Sequence, residues 1–234
     1  MGGVTHEPHD ESEHRPLPAW LRVTRGEPRW ASTAAVLTAV GLQWALPERL
    51  SIHPVWLLPA LELALVVALI AANPVRIERA SRLYRPAGLA LIACISAANG
   101  WSAVRLVVGL ARGAEGTDAS ALLVTGGAIW LTNVIAFALW YWEWDRGGPL
   151  ARVQATRTYP DFLFPQMQSP ELAPPHWEPA FPDYLYLSFT NATAFSPTDV
   201  MPLNRWAKML MMLQSAISLL TVVLVVARAV NILK

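Results

Sequence analysis

After Pro202 the chain runs apolar and uninterrupted to its end, a stretch of membrane-spanning length that a water-soluble fold of this size has little room to bury. Ahead of it lies a short apolar and aromatic run, Tyr184 to Thr193, and the polar turn Ala194-Phe195-Ser196-Pro197-Thr198-Asp199. The order is half-helix, polar loop, full helix. It predicts a re-entrant hairpin followed by a transmembrane helix. Irregular backbone at membrane depth leaves amides unpaired unless protein or a wet cavity answers them, so such a hairpin implies a partner or a pore.

Only 15% of the 234 residues are charged, against about 25% in an ordinary soluble domain, which places the chain in lipid before any segment is read. A net charge of +1 gives no basis for nucleic-acid binding. Cys94 is the only cysteine, which excludes an internal disulfide and any site built from several thiolates. The polar start of the chain does not resemble a signal peptide, so the first span is expected to stay as an anchor.

Residues 1–29 are expected to be a flexible polar tail; its His6, His9 and His14, set among acids, match no recognised metal site. Residues 30–145 are expected to form a four-helix transmembrane bundle. Its spans are Trp30 to Pro47, Pro54 to Asn73 with a kink at Pro59, Pro86 to about Leu110, and Ala119 to Trp142. Trp30 and Trp44 suit the two interfaces of the first span. Residues 146–182 hold eight prolines mixed with Phe162, Phe164, Trp177 and Phe181, which predicts an extended segment on the end of the bundle. Residues 183–234 supply the hairpin and the fifth span. The fold class is therefore all-α: a polytopic integral membrane protein of about five transmembrane helices with a re-entrant half-helix before the last.

Thirteen Arg and Lys residues fall near span ends on the side of the N-terminus and five on the other. The positive-inside rule then puts the N-terminus, the Pro-rich segment and the mouth of the hairpin on the cytoplasmic side of a cell membrane.

The stretch from Tyr186 to Asn204 resembles the pore helix, filter and post-filter segment of the two-helix potassium-channel module. On that resemblance Thr193 falls on the first filter threonine, Asp199 on the acid after the filter and Pro202 on the following proline. Both filter glycines are replaced, by Ser196 and Thr198, and Pro197 stands for the aromatic between them. Carbonyls aimed at potassium need a backbone that glycine permits and most residues resist, so potassium selectivity of the usual kind is predicted absent. The last fifty or so residues are also similar to the C-terminal segment of a bacterial family of uncharacterised multi-pass membrane proteins, a resemblance that brings no activity; the expectation that the membrane is a bacterial inner membrane rests on it.

Thr193, Ser196, Thr198 and Asp199 are the pore-lining candidates: three hydroxyls and a carboxylate suited to a small cation if several copies surround an axis. The plainer alternative is capping, with Thr198 or Asp199 accepting from free amides of the last helix and Pro202 at an early helical position. Glu62 and Arg105 are the charges well inside predicted spans. Both count to about 8 to 12 Å below the same surface, so an intramembrane ion pair is the leading expectation, with a role in ion or proton passage and Arg105 reaching to the interface as the alternatives. Each alone costs at least about 2.5 kcal/mol in lipid. The face of the last helix carrying Met209, Met211, Met212, Gln214, Ser215, Ser218 and Thr221 is expected to pack on other helices.

No enzyme is legible: paired carboxylates, triads, phosphate loops and HExxH are absent from the sequence, and no metal or cofactor is called for. Three functions stay open. The first is a homo-oligomeric pore-loop-like ion channel, with the bilayer, further copies and a small cation as partners. The second is a membrane scaffold whose hairpin is a plug, and the third a proton-coupled carrier that uses Glu62.

Overall fold

A computed structural model describes residues 17–77, 83–113, 118–193 and 199–233. They form eight α-helices, three single 3-10 turns and one pair of two-residue strands; the α-helices and strands are α1 (Trp30–Trp44), α2 (Leu57–Ala72), α3 (Tyr84–Ala111), α4 (Ala119–Trp144), α5 (Pro149–Val153), β1 (Phe162–Leu163), α6 (Pro165–Gln168), α7 (Phe181–Thr193), β2 (Met201–Pro202) and α8 (Arg205–Ile232). The all-α expectation holds.

Three helices, α3, α4 with the turn that follows it, and α8, are long and apolar enough to cross a membrane. At 1.5 Å per residue, α1 and α2 reach only about 22 and 24 Å, short of a hydrocarbon core of about 30 Å. The shortfall arises between them. Residues 45–56 fold inward, so that Ser102 Oγ in α3 donates to the Leu50 carbonyl at 2.9 Å, and α2 starts below that level. Pro59 then falls in the first turn of α2, where its missing N–H removes no intrahelical bond, so the kink expected there has no cause.

α4 is the axis of the bundle. It packs against α1, α3, α7 and α8, and every residue from Thr132 to Leu139 is buried. Asp118 caps its start, accepting from the backbone N–H of Ser120 and Ala121. On the far side, Gly126 lies against Val225 of α8 so closely that a Cβ there would stand 2.7 Å from a valine methyl. At the other end, Arg146 (φ 53°), Gly147 and Gly148 turn the chain away. A Cβ on Gly148 would meet the Glu143 carbonyl at 2.8 Å, so this reversal requires glycine.

Two stretches differ from expectation. Residues 19–29, assigned to the tail, are packed: Ala19, Glu27 and Arg29 are buried, and Pro28 bridges to Arg76. The Pro-rich segment is folded too, carrying α5, α6 and the strand β1, which pairs antiparallel with β2 so that Phe162 faces Pro202. The histidine cluster at residues 6, 9 and 14 lies outside the described residues.

α8 splits its face. Gln214, Ser218 and Thr221 are buried against the bundle, whereas Met209, Met212 and a row of Leu and Val residues down to Val230 are exposed. An apolar face of that length is foreign to a soluble monomer's surface.

Candidate functional site

The end of the bundle where α4 stops is a knot of buried charge. Four carboxylates, Glu27, Glu143, Asp145 and Asp161, are buried there together with Arg146 and Arg152. Buried ions persist only when paired and hydrogen-bonded. Arg152 Nη1 donates to the carbonyls of Trp142 (2.6 Å) and Asp145 (3.0 Å), its Nη2 lies 3.5 Å from Glu27, and its guanidinium stands over the Tyr184 ring. Asp145 accepts from the Asp161 amide at 2.8 Å and from the Tyr184 hydroxyl at 2.5 Å. Asp161 in turn accepts from the Arg146 amide at 2.7 Å, from Trp206 Nε1, and from the Asn204 side chain.

Two of these acids fix where α7 begins. The Phe181 amide donates to Glu27 Oε2 at 2.7 Å, which puts a carboxylate on the positive end of the helix dipole, and Asp145 holds Tyr184 one turn further in. Burial pushes the Glu27 carboxyl above its ordinary range, against the opposing pull of the Arg152 charge.

From there α7 descends beside α4. Phe181 meets Trp142 edge to face, and two turns later Phe189 meets Trp130. A polar ladder inside the apolar bundle holds it. The Gln214 side chain is wholly buried and uses all of its hydrogen-bonding capacity. Its Oε1 accepts from Tyr141 Oη (2.6 Å) and Asn191 Nδ2 (2.8 Å), and its Nε2 donates to the Ser188 hydroxyl (2.7 Å) and carbonyl (2.9 Å). Ser188 Oγ donates in turn to the Val134 carbonyl, and Ser215 donates to the Asn191 carbonyl. One turn beyond Gln214, Asn133 of α4 donates to Ser218. α7 ends at Thr193, close to the level of Gln214, which lies nine residues or about 14 Å into α8. By Met201 the chain is back beside Leu163.

Of the pore-lining candidates, Thr193 and Asp199 are exposed on either side of the return, and Ser196 and Thr198 lie outside the described residues. Thr193 Oγ1 donates back to the Phe189 carbonyl at 2.9 Å. Tyr186, Phe189 and Thr193 form one exposed stripe along α7. The capping alternative meets a different arrangement at the described residues. α8 starts at Arg205, its N-cap Asn204 makes no capping bond because its side chain serves Asp161, and Pro202 sits in β2.

Glu62 and Arg105 are not brought together. Arg105 is bound at Nε to the Arg49 carbonyl at 3.2 Å. Glu62 is wholly buried between α1 and α3, its carboxyl approached by Gln43 and felt by Cys94. Cys94 lies eleven residues before Arg105, about 16 Å along α3. Counting depth from the sequence equated the two charges because it started α2 at Pro54; the inward fold of 45–56 sets α2 deeper.

Sequence reasoning missed Glu27, Asp145, Arg152, Asp161 and Tyr184 as one group. The acid-Arg-Gly-Gly-Pro run at 145–149 is the signal that a strained, buried turn was coming. Searches against protein families, characterised proteins and solved structures return no match for this chain.

Proposed function

We propose that the chain is a multi-pass membrane protein of five embedded helices, α1 to α4 and α8, in which α7 is a re-entrant half-helix. In this reading, copies assemble around an axis into a cation-conducting pore without a potassium-type filter. The observation that carries it is the termination of α7 about a third of the way along α8, among apolar helices, with its carbonyl end inward. That end of a helix bears partial negative charge, and discontinuous helices ending at mid-bilayer offer it to cations. Tyr186 and Thr193 are exposed on one stripe of α7 where a neighbouring copy could lie, and Phe189 between them is half-exposed beside Trp130. The basic residues of the sequence put the start of α7 on the cytoplasmic side.

The test is flux of potassium and sodium from liposomes holding the purified full-length chain, paired with cross-linking in native membranes. The reading expects oligomers, and cation efflux that Asp199→Asn changes. A monomer without flux would instead favour a membrane scaffold with α7 as a plug. The full saturation of Gln214 supports that second reading, because a helix tied this completely has no need of a partner to stay in place.

A further inference from the structure

Glu62 and Gln43 are the sharpest unresolved polar feature of the molecule. Both side chains are more than nine-tenths buried, on facing turns of α2 and α1. Gln43 is the hydrogen-bonding group that approaches the Glu62 carboxyl, yet neither Glu62 oxygen and neither Gln43 amide atom completes a hydrogen bond. No Arg, Lys or His among the described residues forms an ion pair with Glu62. The titratable neighbour that senses it is Cys94, from α3.

An ionised Glu62 fits this surrounding poorly. A carboxylate accepts only, so it would take one N–H from Gln43 and set its charge against the Gln43 carbonyl oxygen. A carboxylic acid fits well. Its O–H donates to Gln43 Oε1 while Gln43 Nε2 donates to the other Glu62 oxygen, which satisfies four buried atoms with two bonds and no net charge. One turn away, at Leu58 and Pro59, a cavity of about 20 Å³ begins beneath the inward fold of 45–56, with Gln43, Ser51 and Ser102 on its wall. That is room for about one water. It lies toward the end of the bundle opposite the charged knot, with Gln43 as the residue of the pair that lines it.

We propose that Glu62 and Gln43 form a proton-binding acid–amide site in the bundle, loaded and emptied through the cavity beneath residues 45–56. Binding adds one proton to a Glu62 oxygen, and release hands it to water in that cavity. The site is complete in one copy of the chain and does not depend on the pore reading.

Infrared spectroscopy of the full-length protein in liposomes tests it, together with labelling by dicyclohexylcarbodiimide, an apolar reagent that reacts with protonated carboxyl groups. At neutral pH the proposal expects a carboxylic-acid C=O band that is lost in Glu62→Gln. In Gln43→Leu the band should persist but move to higher frequency, because the amide partner is gone. The reagent should label Glu62, less so as pH rises and unaffected by sodium. An ionised Glu62 at neutral pH, a band that Gln43→Leu leaves unmoved, or protection by sodium at constant pH overturns the proposal, the last by making the site one for a metal cation. Should Glu62→Gln fail to fold, the Gln43→Leu shift and the pH profile of labelling on the unaltered chain decide the matter.

Discussion

Gln214→Leu removes four hydrogen bonds at nearly constant side-chain volume, and so measures how firmly α7 is held. Hydrogen bonds between membrane helices are worth about 0.6 kcal/mol each on average, which gives a loss of about 2 to 3 kcal/mol for the four. The loss is not shared evenly. Asn191 keeps the Met211 carbonyl and Ser188 keeps the Val134 carbonyl, but the Tyr141 hydroxyl, wholly buried, loses the acceptor of its proton and keeps only the Asn191 amide beside it. Tyr141→Phe should therefore cost about 0.6 kcal/mol when Gln214 is present and nothing, or a slight gain, in the Gln214→Leu background. Equilibrium unfolding of the four proteins in detergent micelles gives the cycle. If Gln214→Leu costs less than about 0.5 kcal/mol, or the two substitutions simply add, α7 is positioned by its charged start alone and the ladder is incidental.

Glu27→Gln should change the pH dependence of stability. The folded carboxyl titrates above its ordinary value of 4.5, so the folded state favours the protonated form, and stability falls as pH rises from that value through the folded one. Melting temperatures across that range should show the variant gaining on the original chain as pH increases; a constant or shrinking difference contradicts the assignment. Gly126→Ala forces a methyl group into Val225 and should cost about 1 to 3 kcal/mol, whereas Gly127→Ala, with nothing within 4 Å, should be neutral or stabilise by up to about 1 kcal/mol. Thermal unfolding in micelles separates the two. Tyr184→Phe removes the 2.5 Å bond to Asp145 and should cost about 1.5 to 3 kcal/mol, with faster proteolysis of the hairpin as an independent sign that α7 has loosened.

The long helices could be read from the sequence because their signal is local. α3, α4 and α8 each announce themselves by an apolar run, and α7 by a short one between a Pro-rich stretch and a polar turn. What could not be read is set by residues far apart in the chain. Glu27 looks like one more acid in a polar tail until Trp142, Arg152 and Phe181 are folded around it. Residues 146–182 look extended because proline forbids long helices, but nothing in their composition says that Asp161 will be gripped by Arg146, Asn204 and Trp206. The Glu62 and Arg105 pairing shows the complementary limit. Depth can be counted along a helix, but the level at which the helix starts depends on how its connection folds, and residues 45–56 carry no pattern that gives it away.

The grip on Glu27 has a consequence for biogenesis. Its backbone donor, Phe181, leaves the ribosome 154 residues later. For most of synthesis this acid waits at the end of an unfinished bundle, and the early helices lack the element that closes them. A chain stopped ahead of Phe181 has the acid but not the helix start that the acid holds, so this contact is among the last that the fold can make.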